Sequence, residues 1–301
     1  MYYSLTVVRQ RLARAAPGND HESHLFMRKS GSFLEILRHM GTLCTIGIAT
    51  AGVFPAAAFE ILPHRAAYNF EVIEIDDRSG VTQIEGGMTF EWADACDGWA
   101  VDQRYLLRIS GEEGADIVTQ SSSVSWESKD GRRMRFTSKR ERDGEVTDQF
   151  SGEAELDRAG GSGIARFTQP REVQIELPAG TRFPTDTTIA LMTLASAGER
   201  NYKGFVFEGG ELETAQPFTA LLLPQRPARH EGILKAPLGL GPIWPMFLAY
   251  FKPLGGDDVP DTEISMDVQE NGIVPDFTLN YGSFKLRARL ARISALPPVK
   301  C

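Results

Sequence analysis

Phe284-Lys285-Leu286-Arg287-Ala288-Arg289-Leu290 alternates apolar and basic side chains without a break. A chain that places every second side chain on the same face can bury one face and wet the other only as a β-strand. Ala67-Tyr68-Asn69-Phe70-Glu71-Val72 and Arg132-Arg133-Met134-Arg135-Phe136 repeat the pattern. Between such runs stand Asp76-Asp77-Arg78-Ser79-Gly80, Lys129-Asp130-Gly131, Asp143-Gly144 and Asn271-Gly272, residues that tolerate positive φ or cap a tight turn. The expectation is an all-β chain of a dozen or more antiparallel strands in one curled sheet. Candidate strands fall near 64–75, 81–92, 99–109, 117–127, 132–140, 145–156, 163–168, 171–177, 201–208, 214–223, 244–252, 262–270, 274–281 and 284–294. So long a sheet must curl or split into layers. The Pro- and Gly-rich tract 224–242 reads as a loop within a single domain.

One segment departs from period two. From Phe183-Pro184-Thr185-Asp186 onward, a Thr or Asp stands at the cap, Ile189, Met192 and Ala195 share a helical stripe, and Gly198 supplies a left-handed stop. One short helix in a β-chain is expected to plug the barrel end or cross an open sheet edge, with Met192 and Leu194 covered.

Residues 1–58 read as an N-terminal extension plus a cleaved secretory signal peptide. The stretch from Met27 has a basic start (Arg28, Lys29, Arg38), an apolar run over 41–54 and the small residues Ala56-Ala57-Ala58. That run of 14 residues is too short to span a bilayer. Cys44 follows Gly41-Thr42-Leu43 and lacks the small preceding residue that lipid attachment requires. The domain itself would be residues 59–301, with 26 basic and 37 acidic side chains. Such an acidic surface makes nucleic acid an unfavourable partner. No later stretch is apolar for long enough to span a membrane as a helix, so the expected location is periplasmic. Two cysteines remain, Cys96 and Cys301, and in an oxidising compartment they can form only one intramolecular disulfide. Closing a loop of roughly 200 residues contributes at most about 5 kcal/mol in the chain-entropy model.

Catalytic chemistry finds little footing. Only His64 and His230 remain, without a nucleophile elbow, a phosphate-cradling Gly-rich loop or a spaced set of metal ligands beside them. Asp257, Asp258 and Asp261 sit near a Gly-Gly turn without the alternate-position spacing of a calcium loop. No metal and no cofactor is expected. A hydrolase would need two buried acidic groups facing each other in the interior. Neither cysteine belongs to a Cys-x-x-Cys pair. The nearly continuous apolar run Ile243-Trp244-Pro245-Met246-Phe247-Leu248-Ala249-Tyr250-Phe251 reads as a strand buried on both faces, or else as one lining an apolar cavity. In the second case Trp244, Phe247, Tyr250 and Phe251, with Met192 on the helix, would contact a lipid or acyl ligand.

Several of these segments also carry a resemblance. Leu62-Pro63-His64-Arg65-Ala66-Ala67-Tyr68, Glu85-Gly86-Gly87-Met88, Ala95-Cys96-Asp97-Gly98-Trp99, Phe183-Pro184-Thr185, Ala197-Gly198-Glu199-Arg200, Glu270-Asn271-Gly272-Ile273 and Asn280-Tyr281-Gly282-Ser283-Phe284 occur in the order seen in one family. The chain resembles the cell envelope integrity proteins of the EipB type over essentially all of 59–301. The resemblance implies a periplasmic β-spiral like an unclosed barrel, with a helix packed at its interior and a disulfide mapping onto Cys96 and Cys301. It also implies a non-catalytic part in envelope homeostasis and stress resistance. The family is similar in outline to lipoprotein carriers. Two kinds of partner follow: a periplasmic envelope protein held by a scaffold, or a lipid or acyl ligand held in an apolar cavity. The N-terminal extension and the apolar segment 241–251 depart from the family pattern.

Overall fold

The computed structural model describes residues 59–112, 114, 116–227, 238–239, 241–253 and 259–301. The expected signal segment, Cys44, His230, Asp257 and Asp258 lie outside the described residues.

Fifteen strands form one sheet. In chain order they are β1 (His64–Ile75), β2 (Val81–Asp94), β3 (Gly98–Gly111), β4 (Asp116–Ser128), β5 (Arg133–Arg142), β6 (Glu145–Leu156), β7 (Gly163–Gln169), β8 (Val173–Leu177), β9 (Thr181–Arg182), β10 (Asn201–Val206), β11 (Gln216–Leu222), β12 (Ile243–Tyr250), β13 (Thr262–Gln269), β14 (Asp276–Asn280) and β15 (Phe284–Ala295). Fourteen coincide with the expected strands. The additional one, β9, is two residues long and pairs in parallel with β10. It is too short for any hydropathy period. The turns behave as their residues dictate. Asp143 and Gly144, at φ +53° and +84°, form the two-residue connection from β5 to β6, a conformation that matches the strand twist.

The order across the sheet runs from β8 down to β1, then β15 down to β9. The chain's first and last strands therefore pair with each other in the middle of the sheet, from His64 opposite Ala295 to Ile75 opposite Phe284. The open edges are β8 and β9, which only residues 178–180 separate in the chain. A sheet whose two edges are joined by so short a connection has curled almost into a closed barrel. Cys96 and Cys301 form a disulfide that spans 205 residues of sequence. It does not guard a frayed edge, because the termini are not at an edge. Instead it fastens the tail beyond β15, where Leu296 N–H donates to Pro63 O at 2.9 Å, to the β2–β3 turn.

The helix α1 spans Pro184–Ser196 and buries Leu191, Met192 and Ala195 in the barrel, with Leu194 half-buried against the same core. Ile189 is only partly covered, so Leu191 takes the place expected for it. No Thr or Asp caps the start: the N-cap is Phe183, whose side chain makes no capping hydrogen bond. Gly198, at φ +88°, follows the last turn.

The interior is divided. One apolar cluster gathers β1–β3, β10–β15 and α1, and the other gathers Met134, Phe136, Leu156, Phe167, Leu177, Phe183 and Phe207. Strand β4 contributes no side chain to either. Its register opposite β3 pairs Ser123 with Gln103 and Ser125 with Val101, so Ser123, Ser125 and Glu127 turn inward.

Candidate functional site

Two places on this frame carry chemistry: a groove on the outer sheet face and a polar layer inside.

The groove follows from strand parity. In β12 the even residues Trp244, Met246, Leu248 and Tyr250 enter the first core cluster, and Phe247 points the other way, 48% exposed. Leu221 of β11 lies directly opposite Phe247 and is also exposed. Leu221 stands beside a groove of about 940 Å³, which Phe247 lines with Ile73, Leu223, Pro224 and Pro245. Its rim is ionic. Arg226 reaches Asp267 at 2.7 Å and Arg287 reaches Asp276 at 2.9 Å. Arg289 reaches Glu71 at 2.7 Å. An apolar strip bordered by charges already neutralised is suited to a protein surface and offers nothing to a free ion.

Of the five proposed apolar contacts, Met192, Trp244 and Tyr250 meet in the first core cluster, Phe251 is half-buried just beyond β12, and Phe247 is on the outside. The interior beside α1 is filled. Among the described residues, the gap bounded by His64, Tyr68, Phe90, Trp92 and Thr188 measures about 10 Å³, roughly the room one water requires. His64 is a core histidine. Its Nδ1 lies 2.7 Å from Leu62 O, its ring packs on Phe90 and Trp92, and burial lowers its pKa.

The polar layer was not legible in the sequence. Glu127 Oε1 and Oε2 accept from Thr185 N–H at 3.0 and 2.9 Å, and Oε2 also accepts from Asp186 N–H at 3.3 Å. A carboxylate borrowed from β4 thus caps α1 in place of the missing side-chain cap, at the positive end of the helix dipole. Burial nonetheless dominates and raises the Glu127 pKa to about 7, the backbone donors opposing it. Beside it, Glu208 has its pKa pushed up to about 8, first by burial and then by Glu211 and Glu127. Gln103 donates to the Tyr105 hydroxyl, while the buried Ser123 and Ser125 hydroxyls have no protein partner among the described residues. Two buried acids do face one interior, but both Glu127 oxygens are committed to the backbone of α1. A sequence signal existed only in part: Ser-x-Ser-x-Glu on a strand shows alternation, not which face turns in.

The EipB-like family model matches residues 55–297, which include every strand of the barrel just described. The chain belongs to the EipB-like family. An EipB-like relative, the cell envelope integrity protein EipB of Brucella abortus (strain 2308), is 28% identical over 242 residues, covering 79% of this chain and 85% of the relative. The crystal structure of a beta-barrel-like protein of domain of unknown function DUF1849, also from Brucella abortus, superposes with a TM-score of 0.74 at 27% identity. It covers 80% of this chain and all of that one. This chain and the DUF1849 protein thus share a beta-barrel-like fold.

Proposed function

We propose that this chain is a non-catalytic periplasmic protein that supports cell envelope integrity by holding a partner protein on the outer face of its barrel. The envelope role rests on its EipB relative, whose name records it. One observation carries the choice of the outer face: the interior beside α1 is packed with side chains, while a concavity of about 940 Å³ at Phe247 opens outward. A lipid or acyl carrier would need the reverse arrangement. Absence of catalysis is supported by the engagement of Glu127 with α1 and by the buried, backbone-bonded state of His64.

The test is genetic and physical. In the source strain lacking the gene, expression of the wild-type chain should restore growth on a membrane-active detergent. A Phe247→Asp, Leu221→Asp double variant that folds normally should not. Native mass spectrometry of the gently purified chain should show the protein mass alone. Full rescue by the double variant, or a co-purifying acyl mass, would remove the proposal.

A further inference from the structure

The segment between β10 and β11, residues 207–215, crosses the inside of the barrel as a strap. Its first residue, Phe207, lies edge-on to Phe136, Phe167 and Phe183 with ring centroids 5.5, 6.2 and 6.5 Å apart. Gly209 passes so near Phe136 that a Cβ there would come within 2.4 Å of the ring, and Ser138 Oγ donates to Gly209 O at 3.4 Å. At its far end Ala215 is buried, and Thr214 Oγ1 donates to Glu176 O of β8 at 2.7 Å. At its near end Phe207 N–H donates to Arg182 O of β9 at 3.0 Å. The strap therefore touches both open edges of the sheet and covers the second apolar cluster from inside.

Carboxyls stud this apolar strap. Glu208 Oε1 is buried without a hydrogen-bond partner among the described residues, and Glu127 faces it from β4. The other groups around it are Tyr105 of β3, Tyr281 between β14 and β15, and Glu211 and Glu213 of the strap. Arg140 of β5 is shared, at 3.0 Å from Asp148 and 3.8 Å from Glu211, and Asp261 adds negative charge nearby. Asp186 of α1 is held by Arg182 at 2.6 Å. No cation is placed against Glu208 itself among these neighbours.

We propose that the strap is a proton-controlled latch: with Glu208 protonated it stays seated across the β8–β9 seam, and loss of that proton beside Glu127 lifts it, uncovering Phe136, Phe167 and Phe183. A carboxylate whose Oε1 is buried without a hydrogen-bond partner among the described residues, next to a second carboxylate, is costly, and exit of the strap to water relieves that cost. The direction follows from linkage. Glu208 titrates near 8 when seated and as an ordinary carboxyl when released, so seating is favoured at low pH and weakened as pH rises toward 8. For one such proton, the released fraction grows about tenfold per pH unit between roughly pH 5 and 7 and more slowly toward pH 8.

Amide hydrogen exchange on the full chain, corrected for the intrinsic pH dependence of exchange, tests this at pH 6, 7 and 8. Protection at 207–215 should fall about tenfold from pH 6 to 7 and about fivefold from 7 to 8, and at each pH should lie well below that of the β3 and β15 amides, which open only with the whole domain. In Glu208→Gln the strap should keep pH-independent protection. Flat strap protection in the wild type, an equal slope in Glu208→Gln, or strap protection equal to that of β3 and β15 at each pH would each overturn the latch. Should the variant not fold, the wild-type comparison of strap with β3 still decides.

Discussion

Glu127→Gln isolates the largest unusual electrostatic term in the helix anchor. The glutamine keeps an oxygen that can accept from Thr185 N–H but removes the charge. Glu127 moves from an ordinary 4.5 to about 7 on folding, so the folded state holds a proton that the unfolded state releases. A pKa raised on folding stabilises the protein most below the unfolded value, and that stability is lost as pH rises through the folded value. Evaluated at pH 5 and pH 8, this one group accounts for about 2–3 kcal/mol of stability lost on going to the higher pH. Glu208 adds a similar slope, which the variant retains apart from the small part that Glu127 contributes. The informative quantity is thus a double difference: unfolding free energy of variant minus wild type, at pH 8 minus pH 5. It should come to about +2 to +3 kcal/mol, measured by urea titration, or roughly 5–10 °C in relative Tm for a domain of this size. Any pH-independent offset from the poorer amide cap cancels. A double difference below about 0.5 kcal/mol would show that Glu127 stays ionised in the folded protein, and the burial argument would fail.

Two further predictions rest on other parts of the frame. Cys301→Ser opens a loop spanning 205 residues and should cost up to about 5 kcal/mol by denaturant unfolding, while the oxidised wild type should take up no alkylating reagent without reductant. Met192→Ala removes a side chain only 2% exposed where α1 meets the barrel wall and should cost about 3 kcal/mol by the same titration; a cost under 1 kcal/mol would mean that α1 is not seated in the core.

Much of the architecture could be read locally. Alternation in segments such as Phe284–Ala295, punctuated by Asp143-Gly144 and Asn271-Gly272, fixes strands and hairpins, because side-chain period and turn conformation depend on residues adjacent in the chain. The helix at Pro184–Ser196 was legible for the same reason. Its cap was not, because the acceptor, Glu127, lies some sixty residues away and reaches Thr185 only when β4 is in place. Nor was the groove: alternation identifies Phe247 and Met246 as opposite faces of β12, but which face meets the core depends on β11 and β13. In β4, hydropathy alone would turn Val124 and Trp126 inward, yet pairing with β3 sends Val124 outward, 47% exposed, and buries Ser123 and Glu127.

By itself, then, the sequence determined the all-β character, the strand boundaries, the single helix and the fact that Cys96 had only Cys301 to pair with once residues 1–58 are set aside. These follow from near-neighbour geometry and from counting. The tertiary structure alone decided that the sheet closes on itself with its edges at β8 and β9, that the termini meet in its middle, and that two carboxyls share its interior. Those outcomes depend on accumulated twist and on register across many strands, quantities to which every strand contributes and which no single stretch of sequence contains.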